Sequence, residues 1–268
     1  MSLSRTLIKA ASSAADVVLA DTGVTVLIYH RVGAGSTSEV DHPVALLDEQ
    51  LGWLSTHHRV LSLDDAVAEL RDPPAAPTPA VVVTFDDGTA DFAEHAVPLL
   101  ERHRVPATLY LGTGFTDEGR HWPGDAPPVS WGALADTLTT GLVTVGSHTH
   151  DHLLLDRADA AEIEYQLDRS IDLIGQHLGV AARHFAYPKA VPGNEAADRA
   201  VRQRFDSAAL AGTRANVWGH TDVHRLARSP VQVSDGMRWF RRKVDGGLRL
   251  EDELRHRLNH LRYRNLRS

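Results

Sequence analysis

Seven short apolar runs rich in β-branched residues punctuate the chain, at residues 24–29, 80–85, 107–111, 142–146, 184–187, 207–211 and 226–231. Between several of them lie segments whose apolar residues recur at helical spacing, at 45–55, 63–71, 92–102 and 160–178. A strand that is apolar at nearly every position must be covered on both faces, and strands alternating with helices are joined by crossovers and so run parallel. The pattern therefore predicts an α/β fold in which seven strands close into an irregular (β/α)7 barrel, one strand short of the familiar eight. In such a barrel the residues with chemistry sit at the carboxyl ends of the strands, on the loops that follow.

The remaining stretches complete this outline. Residues 72–79 (DPPAAPTP) hold too much proline for a helix and read as a stiff connector inside one domain. Residues 112–130 read as a long rim loop beside the substrate. The barrel domain is expected over residues 1–236. A basic extension, 237–268, is expected to pack on it, with an amphipathic helix over 248–266. Acidic Asp245, Glu251, Asp252 and Glu253 are interspersed there, so a solvated helix is the simpler reading, with attachment to an anionic lipid surface left open. Charge excludes one partner class: 28 Lys and Arg against 35 Asp and Glu leave a net −7, which does not favour nucleic acid. No apolar run approaches the roughly 20 residues needed to span a bilayer. Residues 1–23 carry Arg5, Lys9, Asp16 and Asp21 and lack an unbroken apolar centre, so a cytoplasmic protein is expected. Nothing in the sequence sets the oligomeric state.

The chain has no cysteine, so thiolate chemistry is excluded and any metal must be held by histidine and carboxylate. Two clusters offer such ligands. Thr84-Phe85-Asp86-Asp87-Gly88 ends the second run. Neighbouring residues on a strand point to opposite faces, but at a strand end followed by glycine both carboxylates can turn into one cleft. There their mutual repulsion calls for a cation or a proton. A surface Asp-Asp-Gly turn would read the same way. Ser147-His148-Thr149-His150-Asp151-His152 follows the fourth run. His148 and His152 are four residues apart, so one helical turn would place both imidazoles on one face, with His150 pointing elsewhere. Together the clusters suggest two histidines and one carboxylate around a divalent ion with open positions.

TFDDG followed by His-Thr-x-x-His resembles the polysaccharide deacetylase family, with its NodB homology domain (carbohydrate esterase family 4), over roughly residues 24–233. The resemblance implies a NodB-like barrel and a metal-dependent deacetylase acting on an acetamido sugar or similar small substrate. It makes Asp86 the general base, and Asp87, His148 and His152 the ligands. It implies a divalent ion, zinc by default with cobalt, nickel or iron compatible, and Thr149 bracing the histidine turn. Phe185-Ala186-Tyr187-Pro188-Lys189-Ala190 is similar to the FAYP-type subgroup, in which Ala186 stands where the family usually has arginine. Lys189 replaces the tyrosine whose backbone N–H serves the oxyanion hole, a role any non-proline residue can fill. Arg183 and Arg228 are candidate replacements for the missing arginine, although surface positions are the commoner fate of arginine. The family's general acid comes from a Leu-x-His motif on a late strand, absent here. Some members carry the motifs in permuted order, and Leu27-Ile28-Tyr29-His30 makes His30 the candidate acid. Trp122, Trp131 and Tyr187 are candidate sugar-facing aromatics. Hydrolysis of a non-sugar linear or cyclic amide, or glycan binding with weakened catalysis, are the competing readings.

Overall fold

The computed structural model describes residues 22–247. Its seven principal strands are β1 (Val24–Tyr29), β2 (Ala80–Asp87), β3 (Ala107–Leu111), β4 (Val143–Ser147), β5 (His184–Ala186), β6 (Ser207–Ala209) and β7 (Arg228–Pro230). All are parallel, in the order β7-β1-β2-β3-β4-β5-β6. The two edges then meet. Leu226 N–H donates to the Ala208 carbonyl at 2.9 Å, Leu210 N–H to Leu226 at 2.9 Å and Gly212 N–H to Arg228 at 2.8 Å. The expected seven-stranded barrel is thus formed and nearly closed. A short strand, Arg59–Val60, additionally pairs with the start of β2.

Strand β2 shows why these runs are apolar throughout. Ala80 and Val82 face the barrel interior with Val24, Val26, Tyr110, Ala186 and Ala209. Val81, Val83 and Phe85 face the helix layer with Leu27, Tyr29 and Leu109. Both faces are dry, so each large aliphatic side chain contributes roughly 1.5–3 kcal/mol by leaving water. The strands pass so close at Gly146 that a Cβ there would lie 2.6 Å from the His184 carbonyl oxygen.

Eight helices are described around the sheet: α1 (Val44–His57), α2 (Leu63–Arg71), α3 (Val97–His103), α4 (Thr113–Glu118), α5 (Trp131–Leu138), α6 (Ala160–Leu178), α7 (Glu195–Arg204) and α8 (Gly236–Val244). A π-helical turn, Phe92–Ala96, leads into α3. Side-chain caps at Ser62, Asp159 and Asn194 each accept an N–H in the first turn of the helix that follows, satisfying a donor with no partner inside the helix. Residues 112–130 are not the continuous loop expected. Helix α4 opens them, and Trp122 and Ala126 exchange backbone hydrogen bonds beyond it. In the basic segment, α8 buries Trp239, Phe240 and Val244 against the barrel, and Lys243 reaches the Pro230 carbonyl at 2.7 Å and Asp235 at 2.5 Å. The helix expected over 248–266 lies outside the described residues. Among those described, no helix is long and apolar enough to cross a membrane.

Candidate metal and catalytic site

The alternation of β2 sends Val82, Thr84 and Asp86 toward the barrel axis, so Asp87 on its own would point outward. The backbone breaks that rule. Asp87 adopts a left-handed conformation (φ 77°) and Gly88 follows at φ 93°, swinging the second carboxylate back toward the mouth. Such a φ is uncommon for a residue with a Cβ and marks a position held by its surroundings. Gly88 is required twice over, since a Cβ would also meet Leu111 Cδ1 at 2.3 Å.

His148 and His152 converge by a different route from the helical turn expected. Residues 148–152 form no helix; left-handed residues at Thr149 (φ 65°) and His152 (φ 54°) fold the loop on itself. The two imidazole centroids come to 4.9 Å. Thr149 braces the turn as anticipated, its Oγ1 accepting the Leu153 N–H at 3.0 Å. His150 points away, its Nδ1 3.0 Å from Thr113 Oγ1.

The donor atoms of Asp87, His148 and His152 all lie within 4.8 Å of one another. Asp87 Oδ1 is 3.8 Å from His148 Nε2 and 3.6 Å from His152 Nε2. Two nitrogen and oxygen donors on one tetrahedral centre, at bonds of about 2.1 Å, stand about 3.4 Å apart, so the cluster is already near ligand spacing. His148 Nδ1 is 2.7 Å from the Ala186 carbonyl, which can only accept. The proton therefore sits on Nδ1 and the Nε2 lone pair faces Asp87. Burial pushes the His148 imidazole down to about 4 against the pull of Asp86. His152 falls to about 4 through burial and the neighbouring His148. Burial raises the Asp87 carboxyl, with His30 and His152 opposing. Two neutral imidazoles beside a carboxylate short of positive charge suit a divalent cation.

Asp86 lies outside this triad. It is 5% exposed and receives both arms of Arg228, Nη1 to Oδ1 at 2.5 Å and Nη2 to Oδ2 at 2.8 Å. Arg228 is 0% exposed, on the last strand, where surface exposure had been the commoner expectation. Its Nη1 also reaches Thr84 Oγ1, its Nε the Leu210 carbonyl, and its guanidinium lies 4.9 Å from the Tyr110 ring. Burial alone would raise the Asp86 carboxyl; the Arg228 guanidinium outweighs it, aided by His148, and holds it at about 2. Arg183 does not take this role. It precedes β5, at the opposite barrel end, and pairs with Asp64 and Asp206.

His30 follows β1, the strand between β7 and β2, and lies close enough to Asp86 and Asp87 to lower both carboxyl groups. Lys189 is exposed in a left-handed turn (φ 52°), and its charge is felt by His152. The aromatic expectations need correction. Trp122 is buried, stacked on Phe115 at 3.7 Å with its edge toward His152, a wall of the site with one face already covered. Tyr187 is buried against Phe185, and Trp131 stacks on His177.

The profile of the polysaccharide deacetylase family matches residues 74–207, half of the 268 residues. The chain belongs to the polysaccharide deacetylase family. A poly-beta-1,6-N-acetyl-D-glucosamine N-deacetylase of Staphylococcus aureus is 28% identical in an alignment of 150 residues that covers 53% of this chain and 51% of that protein. The chain thus spans about half the length of the curated relatives it matches. The solved structure of IcaB from Ammonifex degensii superposes with a TM-score of 0.71 at 26% identity, covering 82% of this chain and 98% of that one. The deacetylase PplD of Streptococcus pyogenes, in complex with acetate, gives a TM-score of 0.71 at 20% identity, over 84% and 99%, and supports the fold alone. In this member of the family Ala186 offers only its backbone carbonyl to His148, while a guanidinium from β7 occupies Asp86.

Proposed function

We propose that the protein is a metal-dependent N-deacetylase that removes the acetyl group from an acetamido sugar or glycan precursor. The observation that carries this reading is the pairing of a three-donor cluster with an adjacent carboxylate, Asp86, that takes no part in it and is held by Arg228. Asp87, His148 and His152 would hold a divalent ion, zinc by default for this donor set, with cobalt, nickel and iron compatible. Such an ion supplies Lewis acidity, polarising the acetyl carbonyl and acidifying a nearby water.

The chain's own groups supply the rest. Asp86 orients the attacking water and accepts its proton; a carboxylate held at about 2 is a weak base, so it needs that water made acidic. Arg228 fixes the carboxylate in one orientation through two parallel hydrogen bonds. The Lys189 N–H is assigned to the developing oxyanion, with the ammonium adding positive charge at the rim. His30 gives a proton to the leaving nitrogen, so that an amine rather than an amide anion departs. Trp122 keeps water from the outer side of His152. The missing motif arginine and the altered tyrosine and glycine positions motivate the alternative of a catalytically weakened glycan-binding protein. The Arg228 guanidinium on Asp86 speaks against the first of these motives.

The test is acetate release from N-acetylglucosamine oligomers, with and without a chelator. Chelator-sensitive release that returns when zinc or cobalt is restored is expected. Intact oligomer binding with no release under any divalent metal would refute the proposal.

A further inference from the structure

His42 is 0% exposed, yet neither of its ring nitrogens has a hydrogen-bond partner. The Val40 carbonyl is near enough to be felt but outside hydrogen-bond geometry. A neutral imidazole always carries one N–H, and a buried donor left unmade costs about 1–3 kcal/mol, so the environment invites a water. The same region leaves other polar atoms unmet. His30 is half-buried, and its Nδ1 is turned into the protein with no partner. Gln50 accepts from the Tyr29 hydroxyl at 3.0 Å through Oε1 but has no acceptor for Nε2.

The elements around them pack together behind the end of β1. The His42 ring meets the Tyr29 ring edge-on at 5.0 Å. Arg31 N–H donates to Val40 and Gly33 N–H to the His42 carbonyl, folding residues 31–42 over the strand end. Val233 N–H donates to the Glu39 carbonyl, bringing the segment after β7 alongside. There Asp235 and Lys243 form a buried pair whose carboxylate acts on His42. The charges facing His42 are Asp235, Asp41 and His30, and burial pushes its imidazole down to about 4.

We propose that His42 is a positioning residue for His30, joined to its inward Nδ1 through buried water, so that the opposite nitrogen is held in donor orientation toward the cleft. A water between the rings satisfies one otherwise unmet nitrogen on each. The assignment rests on the deacetylase reading and on His30 as proton donor.

The test uses the full chain, wild type and with His42→Phe or His42→Gln. Phenylalanine fills the space without the unmet polar atoms, so His42→Phe keeps or raises the melting temperature while kcat falls about tenfold or more with KM unchanged. His42→Gln, which can still hold a water, recovers part of kcat. Full kcat in His42→Phe overturns the proposal. So does a parallel loss of kcat and melting temperature in both variants, which assigns His42 a structural role. The nitrogen-15 signal of His30 Nδ1 supplies a readout independent of turnover: it moves on His42→Phe if the rings communicate and stays fixed if they do not. If the wild type releases no acetate, the deacetylase reading fails by itself, and this signal still decides the link.

Discussion

Arg228 and Asp86 are each nearly out of reach of water, so each is tolerable only because of the other. Removing one member of a buried pair costs about 3–5 kcal/mol, chiefly by stranding the other charge. Arg228→Met and Asp86→Asn should each destabilise the chain in urea unfolding, and the double variant should cost clearly less than their sum. Strict additivity would mean that the pair is not coupled. On the proposed mechanism, the Asp86 side chain separates catalysis from ion binding. Asp86→Asn is expected to abolish acetate release while leaving bound metal, measured by elemental analysis, at the wild-type level. His148→Ala should lose metal and turnover together. Equal metal loss in Asp86→Asn would put Asp86 among the ligands. The signal for Arg228 was present in the sequence, since it lies within an apolar run at 226–231 and an arginine in a buried strand requires a partner. The family resemblance offered Arg228 and Arg183 alike as the missing partner of Asp86; choosing between them needed the fold, because Arg228 lies 142 residues from Asp86.

At the level of elements, the seven strands of the barrel were legible because strands buried on both faces have few polar positions to blur the pattern. The loops were less so. The four-residue spacing of His148 and His152 anticipated their meeting, but a helical turn was the wrong vehicle; the work is done by left-handed φ at Thr149 and His152, which spacing does not encode. The Thr149 hydroxyl ties that turn to the Leu153 N–H. Thr149→Val keeps the shape and deletes the bond. It should weaken metal affinity by about 10–100-fold, the usual consequence of loosening a ligand's support, with little change in helix or strand content by circular dichroism. Unchanged affinity in a titration would mean that the turn holds itself. Trp122 was misread for a related reason: composition marks an aromatic near a rim, and only packing shows that Phe115 already covers its face.

For the whole molecule, the proposed ion binding is coupled to folding, because its ligands lie at or just beyond the ends of two strands, β2 and β4, that are brought together by pairing on either side of β3. A ligand that binds only the native state at a hundred times its Kd adds about 2.7 kcal/mol. For a chain of this size that corresponds to a rise of about 5–10 °C in melting temperature. Adding zinc to chelated protein should produce such a shift, and His148→Ala should abolish it; an equal shift in the variant would locate the ion elsewhere.

The three candidate ion ligands all occur by residue 152, whereas the guanidinium that poises Asp86 arrives only with the seventh strand. A growing polypeptide, or a fragment cut before residue 228, can own every donor to the ion and still lack a disciplined base. On the proposed mechanism, hydrolytic competence would then switch on late in synthesis, when the last strand docks beside the first.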